Sequence, residues 1–272
     1  MRATQAVVLA RGLGSRMRRD DGTSLSREES IAAGSGAKGM MPIGAAGRPM
    51  LDYVLSALAD AGLTDIVLVV APEHDGIRSY YARTTPTRLT IRFAVQAEPR
   101  GTADALHSAR ETVRDAPFLM LNSDNYYSAA DLRAAAELGV CGLVAYEAEA
   151  LARESGFASE RVLRYALLDI SPDDRLRAIC EKPGPDHPLA IASERWVSMN
   201  LWSFTPAIFE ACRRVRPSSR GELELQDAVT LAMNDLGVRF AVARRRSAVL
   251  DLSHRGDIAI VRQRLSGIVP RP

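Results

Sequence analysis

Two aspartates, a glycine-rich turn and the lysine that follows it are the first residues of this chain whose types and spacing could do chemistry. The segment from Ala6 to Arg18 reads AVVLARGLGSRMR, an apolar run from Ala6 to Leu9 that breaks into Gly12-x-Gly14 followed by Ser15 and Arg16. Glycines there let backbone N–H groups close on a phosphate, and Arg16 and Arg18 can fork onto its oxygens. A plain strand-to-helix turn would also use such glycines, so the turn alone leaves both readings open. A dinucleotide fingerprint is excluded: Met17 stands where the third glycine is needed, and no acidic residue ends a second strand at the required distance. Lys38 is not a Walker lysine, because no GKS or GKT surrounds it. Asp124 and Asp251 follow the apolar runs Phe118 to Leu121 and Ala248 to Leu250. Two carboxylates facing a phosphate turn suit Mg²⁺, which takes few protein oxygens and completes its shell with phosphate and water. Either aspartate alone could cap a helix; together with the arginine turn they favour the metal.

The elements that must position these groups alternate strand and helix. Leu51, Val54, Leu55 and Leu58 recur at helical spacing, Gly62 stops the helix, and Ile66 to Val70 reads as the next strand. Strict alternation from Leu89 to Val95 predicts a strand ending in Gln96, and Thr102 is placed to cap the helix after it. Tyr165 to Ile170 and Leu176 to Cys180 flank Pro172-Asp173-Asp174 as a hairpin. A strand from Val197 to Phe204 puts Asn200 opposite Val197, Met199 and Leu201. Repeated βα units with one hairpin predict an α/β fold: a Rossmann-like, doubly wound, mostly parallel sheet with an antiparallel excursion, its ligands beyond the carboxyl ends of the strands. The polar stretch between Arg16 and Lys38 reads as a mobile flap with one helical turn near Arg27 to Ala32, or as a disordered insertion.

At 272 residues and 47% apolar, the chain can bury a full core as one domain. Its parts are expected at about 1–125 and about 126–252, which the family resemblance described below assigns to nucleotide and sugar phosphate, with a C-terminal helix over 253–272. A net charge of +2 offers no field for nucleic acid, and Arg244-Arg245-Arg246 reads as a solvated rim. Cys141, Cys180 and Cys212 are widely spaced and odd in number, as in a reduced, cytoplasmic protein. No apolar segment suits a membrane, and the pattern is compatible with a homo-oligomer. His74, His107, His187 and His254 form no triad or metal spacing. A site with metal carboxylates and no evident base suits a nucleophile that is already an anion, such as a sugar 1-phosphate, whose second pKa is about 6.

The series LARGLGSRM, Lys38 with MMPIGAAGRPMLDYVL, QAEPRGTADAL, LNSDN, EKP, SMNLWSF, GELELQDAV and VLD resembles the sugar-1-phosphate nucleotidylyltransferases. These include the glucose-1-phosphate thymidylyl-, uridylyl- and adenylyltransferases and the mannose-1-phosphate guanylyltransferases. The resemblance implies the transfer of a nucleotidyl group from an NTP to a sugar 1-phosphate, giving an NDP-sugar and pyrophosphate with Mg²⁺. By it, Leu9, Ala10, Arg11, Gly12, Gly14, Ser15 and Arg16 hold base and triphosphate, with Arg16 and Lys38 on the phosphates. Gln96, Gly101 and Thr102 match the segment that reads the base edge, and Asp124 and Asp251 the metal ligands. Glu181 and Lys182 match residues on the sugar and its phosphate, Asn200 a sugar-hydroxyl contact, and Asn122 and Glu222 positions beside the acceptor. Arg16, Lys38, Asp124 and Lys182 are the implied catalytic residues. The chain departs from the pattern at Arg11, where glycine or alanine is usual, at Gly39, where proline is usual, and at Leu252-Ser253 after the second aspartate. The flap is also about twice the usual length. These departures admit an acceptor other than an ordinary hexose, such as a cyclitol phosphate, a phosphonate or a cofactor phosphate. A non-catalytic nucleotide-sugar sensor on the same fold is the rival of another class, and the base is not named.

Overall fold

The computed structural model describes residues 1–44, 47–162, 164–181 and 183–272. The apolar runs become β1 (Gln5–Leu9), β2 (Asp65–Val70), β3 (Thr90–Val95) and β4 (Phe118–Asn122), parallel to one another in the spatial order β4-β1-β2-β3. β1 and β2 are buried along their whole length, as continuous apolar strands must be when helices cover both sheet faces. Alternation along each strand divides the interior. Ala6, Val8, Ile66 and Leu68 enter one core with the helix Met50–Asp60, while Val7, Val67, Phe118 and Met120 enter the other.

Beyond β4 the sheet continues through β6 (Gly142–Glu147), β9 (Trp196–Phe204) and β10 (Ala241–Arg245), in the full order β10-β6-β9-β4-β1-β2-β3. β9 runs antiparallel between β4 and β6, and it carries the hairpin β7 (Ala166–Ile170) and β8 (Leu176–Cys180) on its early residues. The mostly parallel sheet with an antiparallel excursion is therefore as expected. The faces of β9 are also as expected: Val197, Met199 and Leu201 enter the core that holds Ala6 and Val8, while Trp196, Trp202 and Phe204 enter the other, and Asn200 between them has a left-handed φ of 61°, a conformation asparagine tolerates better than most residues.

The last strand sits elsewhere than a doubly wound sheet predicts. β11 (Val249–Asp251) leaves the main sheet and pairs antiparallel with β5 (Asn125–Tyr127), a short strand the sequence pattern does not reveal. Three residues bounded by polar neighbours carry too little periodicity to read. Register now brings the functional ends together. Leu9 lies abreast of Val69 and Asn122, so the glycine turn and the Asp124 segment leave the same sheet edge, and Asn125 lies opposite Asp251 across the ribbon.

The flap is built structure. Its helix Arg27–Ser35 is longer than the single turn expected, because Ser26 and Glu29 form a reciprocal capping box at its start. Glu29 also pairs with Arg262 on the C-terminal helix Asp257–Leu265. Burial alone would raise the Glu29 carboxyl, but the Ser26 N–H and the Arg262 guanidinium outweigh it and hold it below its ordinary value. Just before that helix, Arg255 donates to the carbonyls of Met17 and Arg18 at 3.1 Å each and pairs with Asp20 at 3.0 Å, pinning the other end of the flap.

Candidate active site

Two adjoining cavities open at the carboxyl edge of the sheet. The first, of about 320 Å³, is lined by the β1 turn from Leu9 through Ala10, Arg11 and Gly12 to Gly14, Ser15 and Arg16. Gly14 is required there: its φ is 60°, and a Cβ would lie 2.8 Å from Gly36 Cα, where the flap returns to the turn. Gln96, Gly101 and Thr102 form the opposite wall, and Lys38, Asn122 and Asp124 close the end toward the second cavity.

Thr102 does not cap its own helix. The helix Thr102–His107 starts after Gly101, and the Thr102 hydroxyl instead accepts from Leu225 N at 3.0 Å, the first residue of the helix Leu225–Asp235. The cause is a strap: Leu223 N donates to Arg100 O at 2.7 Å and Ala103 N donates to Leu223 O at 2.9 Å. Through this strap Glu222 lines both cavities. Gln96 is fixed as well, its amide nitrogen donating to Gly101 O at 3.1 Å and to Asp104 Oδ2 at 2.8 Å.

The second cavity, of about 670 Å³, shares Ser15, Arg16, Asn122, Asp124 and Glu222 with the first and adds Glu181, Asn200 and Asp251. Asn200 is half-buried, its side-chain oxygen accepting from Gln226 at 3.4 Å. Lys182 lies outside the described residues.

Neither aspartate is a helix cap. Asp124 leads into β5, and Ser128 caps the helix Ala129–Leu138; Asp257 accepts from Ser253 N at 2.8 Å and His254 N at 2.7 Å ahead of the C-terminal helix. The Asp124 carboxylate pairs with Lys38. Asp251 is buried and accepts from Arg161 Nη2 at 2.8 Å, the Ser253 hydroxyl at 2.9 Å, the Tyr165 hydroxyl at 3.1 Å and the Asn125 amide at 3.3 Å. Burial opposes charge on Arg161, but its hydrogen bonds to Asp257 and Asp251 raise its pKa and keep the guanidinium protonated. Burial, then the neighbouring Asp251 charge, pushes the Tyr165 phenol upward, so it stays a donor.

Arg161 and Tyr165 are cavity residues whose place at the site the sequence does not signal, since nothing in their local spacing marks them. Leu252-Ser253, a departure from the family pattern, proves to be where the Asp251 oxygens find a hydroxyl donor. Of the histidines, His74 is buried behind the β1 turn and its imidazole is pushed below its ordinary value, mainly by burial. No group of three or more His, Cys, Asp or Glu residues among those described is arranged to hold a metal by itself, and none of the described helices is long and apolar enough to cross a membrane.

Known proteins resemble this chain in sequence and in fold. The family described as nucleotidyl transferase matches residues 5–252. A UTP–glucose-1-phosphate uridylyltransferase of Haloferax volcanii is 30% identical over 269 residues, 96% of each chain. A low-salt glycan biosynthesis nucleotidyltransferase of the same organism is 27% identical over 238 residues, which are 85% of this chain but only 57% of that protein. Among solved structures, a UDP-glucose pyrophosphorylase complexed with UDP-glucose superposes with a TM-score of 0.75 at 16% identity, covering 96% of this chain and 98% of the other, a likeness of fold.

Proposed function

This chain belongs to the nucleotidyl transferase family, and from that premise we propose that it transfers a nucleotidyl group from an NTP to a sugar 1-phosphate. One observation carries the reading: a cavity walled by the glycine turn and a second walled by Glu181 and Asn200 meet at Ser15, Arg16 and Asp124. An NTP in the first cavity then presents its α-phosphorus to an acceptor in the second. The acceptor's phosphate oxygen attacks; a bond from that oxygen to the α-phosphorus forms, the bond from the α-phosphorus to the bridging oxygen breaks, and the electron pair leaves with pyrophosphate. No proton need be removed from the nucleophile. Arg16 stands at the junction, where negative charge gathers, and Lys38 beside it neutralises leaving-group oxygens. Glu181 and Asn200 orient the acceptor hydroxyls, and in-line placement lowers the barrier.

The donor set fits Mg²⁺. Asp124 and Asp251 sit one register step apart on the ribbon, where Leu252 N donates to Asp124 O at 2.9 Å, and both face the same cavity. These two carboxylates would hold the ion, sharing their oxygens with Lys38 and Arg161. Bound there it would supply charge neutralisation of the phosphates. Pyrophosphate release, measured with Mg²⁺ across four NTPs and a panel of 1-phosphates, tests the proposal. Asp124→Ala should abolish release in a folded protein; release at the wild-type rate would refute the assigned site.

A further inference from the structure

Asp124 and Asp251 face one cavity, but their oxygens are not equally free. Among the described residues the Asp124 carboxylate has one partner, Lys38 on Oδ2, and Oδ1 accepts from none of them. Asp251 is saturated. Its Oδ1 accepts from the Asn125 amide at 3.3 Å, and its Oδ2 from Arg161 Nη2 at 2.8 Å and the Tyr165 hydroxyl at 3.1 Å. The Ser253 hydroxyl reaches both oxygens, at 2.9 and 3.0 Å. A carboxylate offers about four lone-pair sites, so these four donors leave none for a cation. An ion that takes Asp124 gains Asp251 only when one of the donors gives way.

Charge, and the place each donor has to go, decide which one yields. Asn125, Tyr165 and Ser253 are neutral, whereas Arg161 is a permanent cation on the oxygen that a divalent ion needs, and like charges repel at that range. Arg161 also has a second anchor. Its Nη1 donates to Asp257 Oδ1 at 2.6 Å and its Nη2 to Asp257 Oδ2 at 3.1 Å, and the guanidinium carbon lies 4.6 Å from the centre of the Phe157 ring. It can therefore release Asp251 and keep Asp257. The Ser253 and Asn125 contacts do not depend on it, so Asp251 holds its orientation when the guanidinium is gone.

We propose that Arg161 is a positioning residue acting through Asp251: it is the resident counter-cation of that carboxylate, and by competing for Oδ2 it sets the affinity of the site for its divalent ion. This inference rests on the nucleotidyl-transfer reading and its metal site, and adds the residue that governs when the second carboxylate becomes available. Its test is Mn²⁺ binding without nucleotide or acceptor, followed by loss of the paramagnetic resonance signal of the free ion. Arg161→Gln should bind Mn²⁺ about tenfold more tightly than the unaltered protein, the scale on which partners of ligating groups act. Arg161→Lys keeps the positive charge and should undo most of that gain. A merely structural role would loosen the site or leave it alone, because lost order does not tighten a ligand set. Should Arg161→Gln fail to fold, Asp257→Asn takes its place: the amide oxygen can still accept from Ser253 N and His254 N, Arg161 is left to Asp251 alone, and Mn²⁺ binding should weaken. An unchanged or lowered affinity in folded Arg161→Gln, or an unchanged or raised one in Asp257→Asn, would overturn the proposal. If wild type and Arg161→Gln bind Mn²⁺ equally and release pyrophosphate, only this inference fails; if neither binds Mn²⁺ nor releases pyrophosphate, the underlying reading fails with it.

Discussion

Replacing Gly101 by alanine tests the strap that joins the two cavities. Gly101 has φ 115° and ψ 175°, a region that residues with a Cβ avoid. An added Cβ would lie 2.4 Å from Leu223 O and 2.6 Å from Leu223 N, and both atoms are backbone, so the strap itself must move. Backbone strain of this kind costs about 2 kcal/mol. Displacing Leu223 also weakens the bonds it makes to Arg100 O and Ala103 N, worth about 1 kcal/mol for the one most disturbed. The expected destabilisation is about 3 kcal/mol, read as a lowered urea midpoint at unchanged m-value. Because Gln96 donates to Gly101 O and Glu222 adjoins the strap, the KM for the NTP should rise about tenfold, as misplaced positioning groups cause. A Gly101→Ala protein within about 0.5 kcal/mol of wild type and with an unchanged KM would refute the reasoning that this backbone contact holds the base wall.

Other perturbations test separate parts of the molecule. Arg161→Gln leaves the Asp251 and Asp257 carboxylates without their guanidinium, and should destabilise the fold by about 3 kcal/mol in urea unfolding; a change within about 0.5 kcal/mol would show the pair to be dispensable. Thr102→Val removes the acceptor for Leu225 N and should cost about 1 kcal/mol, localised by hydrogen exchange to the helix Leu225–Asp235 rather than to Thr102–His107. The Glu29 carboxyl is held below its ordinary 4.5, so its folded value is the lower one: its contribution is whole above about pH 4.5 and is lost as pH falls through the folded value. Proteolytic cleavage of the flap should therefore rise through that window in wild type and be already high at neutral pH in Glu29→Gln. A wild-type flap equally resistant on both sides of the window would contradict the role given to the Arg262 pair.

What the sequence determined by itself is local and periodic. Continuous apolar runs named β1, β2 and β4, because a strand covered on both faces has no polar face to interrupt it. Glycine, proline and aspartate marked the turns, and the types of Arg16, Lys38, Asp124 and Asp251 set the expectation of phosphate and cation chemistry before any contact was known. What only tertiary structure decided is which of these groups meet, and in what state. Asp251 reaches the site through pairing between β5 and β11, residues 126 positions apart at the Asn125–Asp251 hydrogen bond, and a three-residue strand leaves no periodic trace. Thr102 caps a helix more than a hundred residues away because Leu223 docks on Arg100, a contact that local propensity does not encode. The flap holds its shape through Arg255 and Arg262 at the far end of the chain. Side-chain type is a property of one position, whereas burial and pairing are properties of everything folded around it.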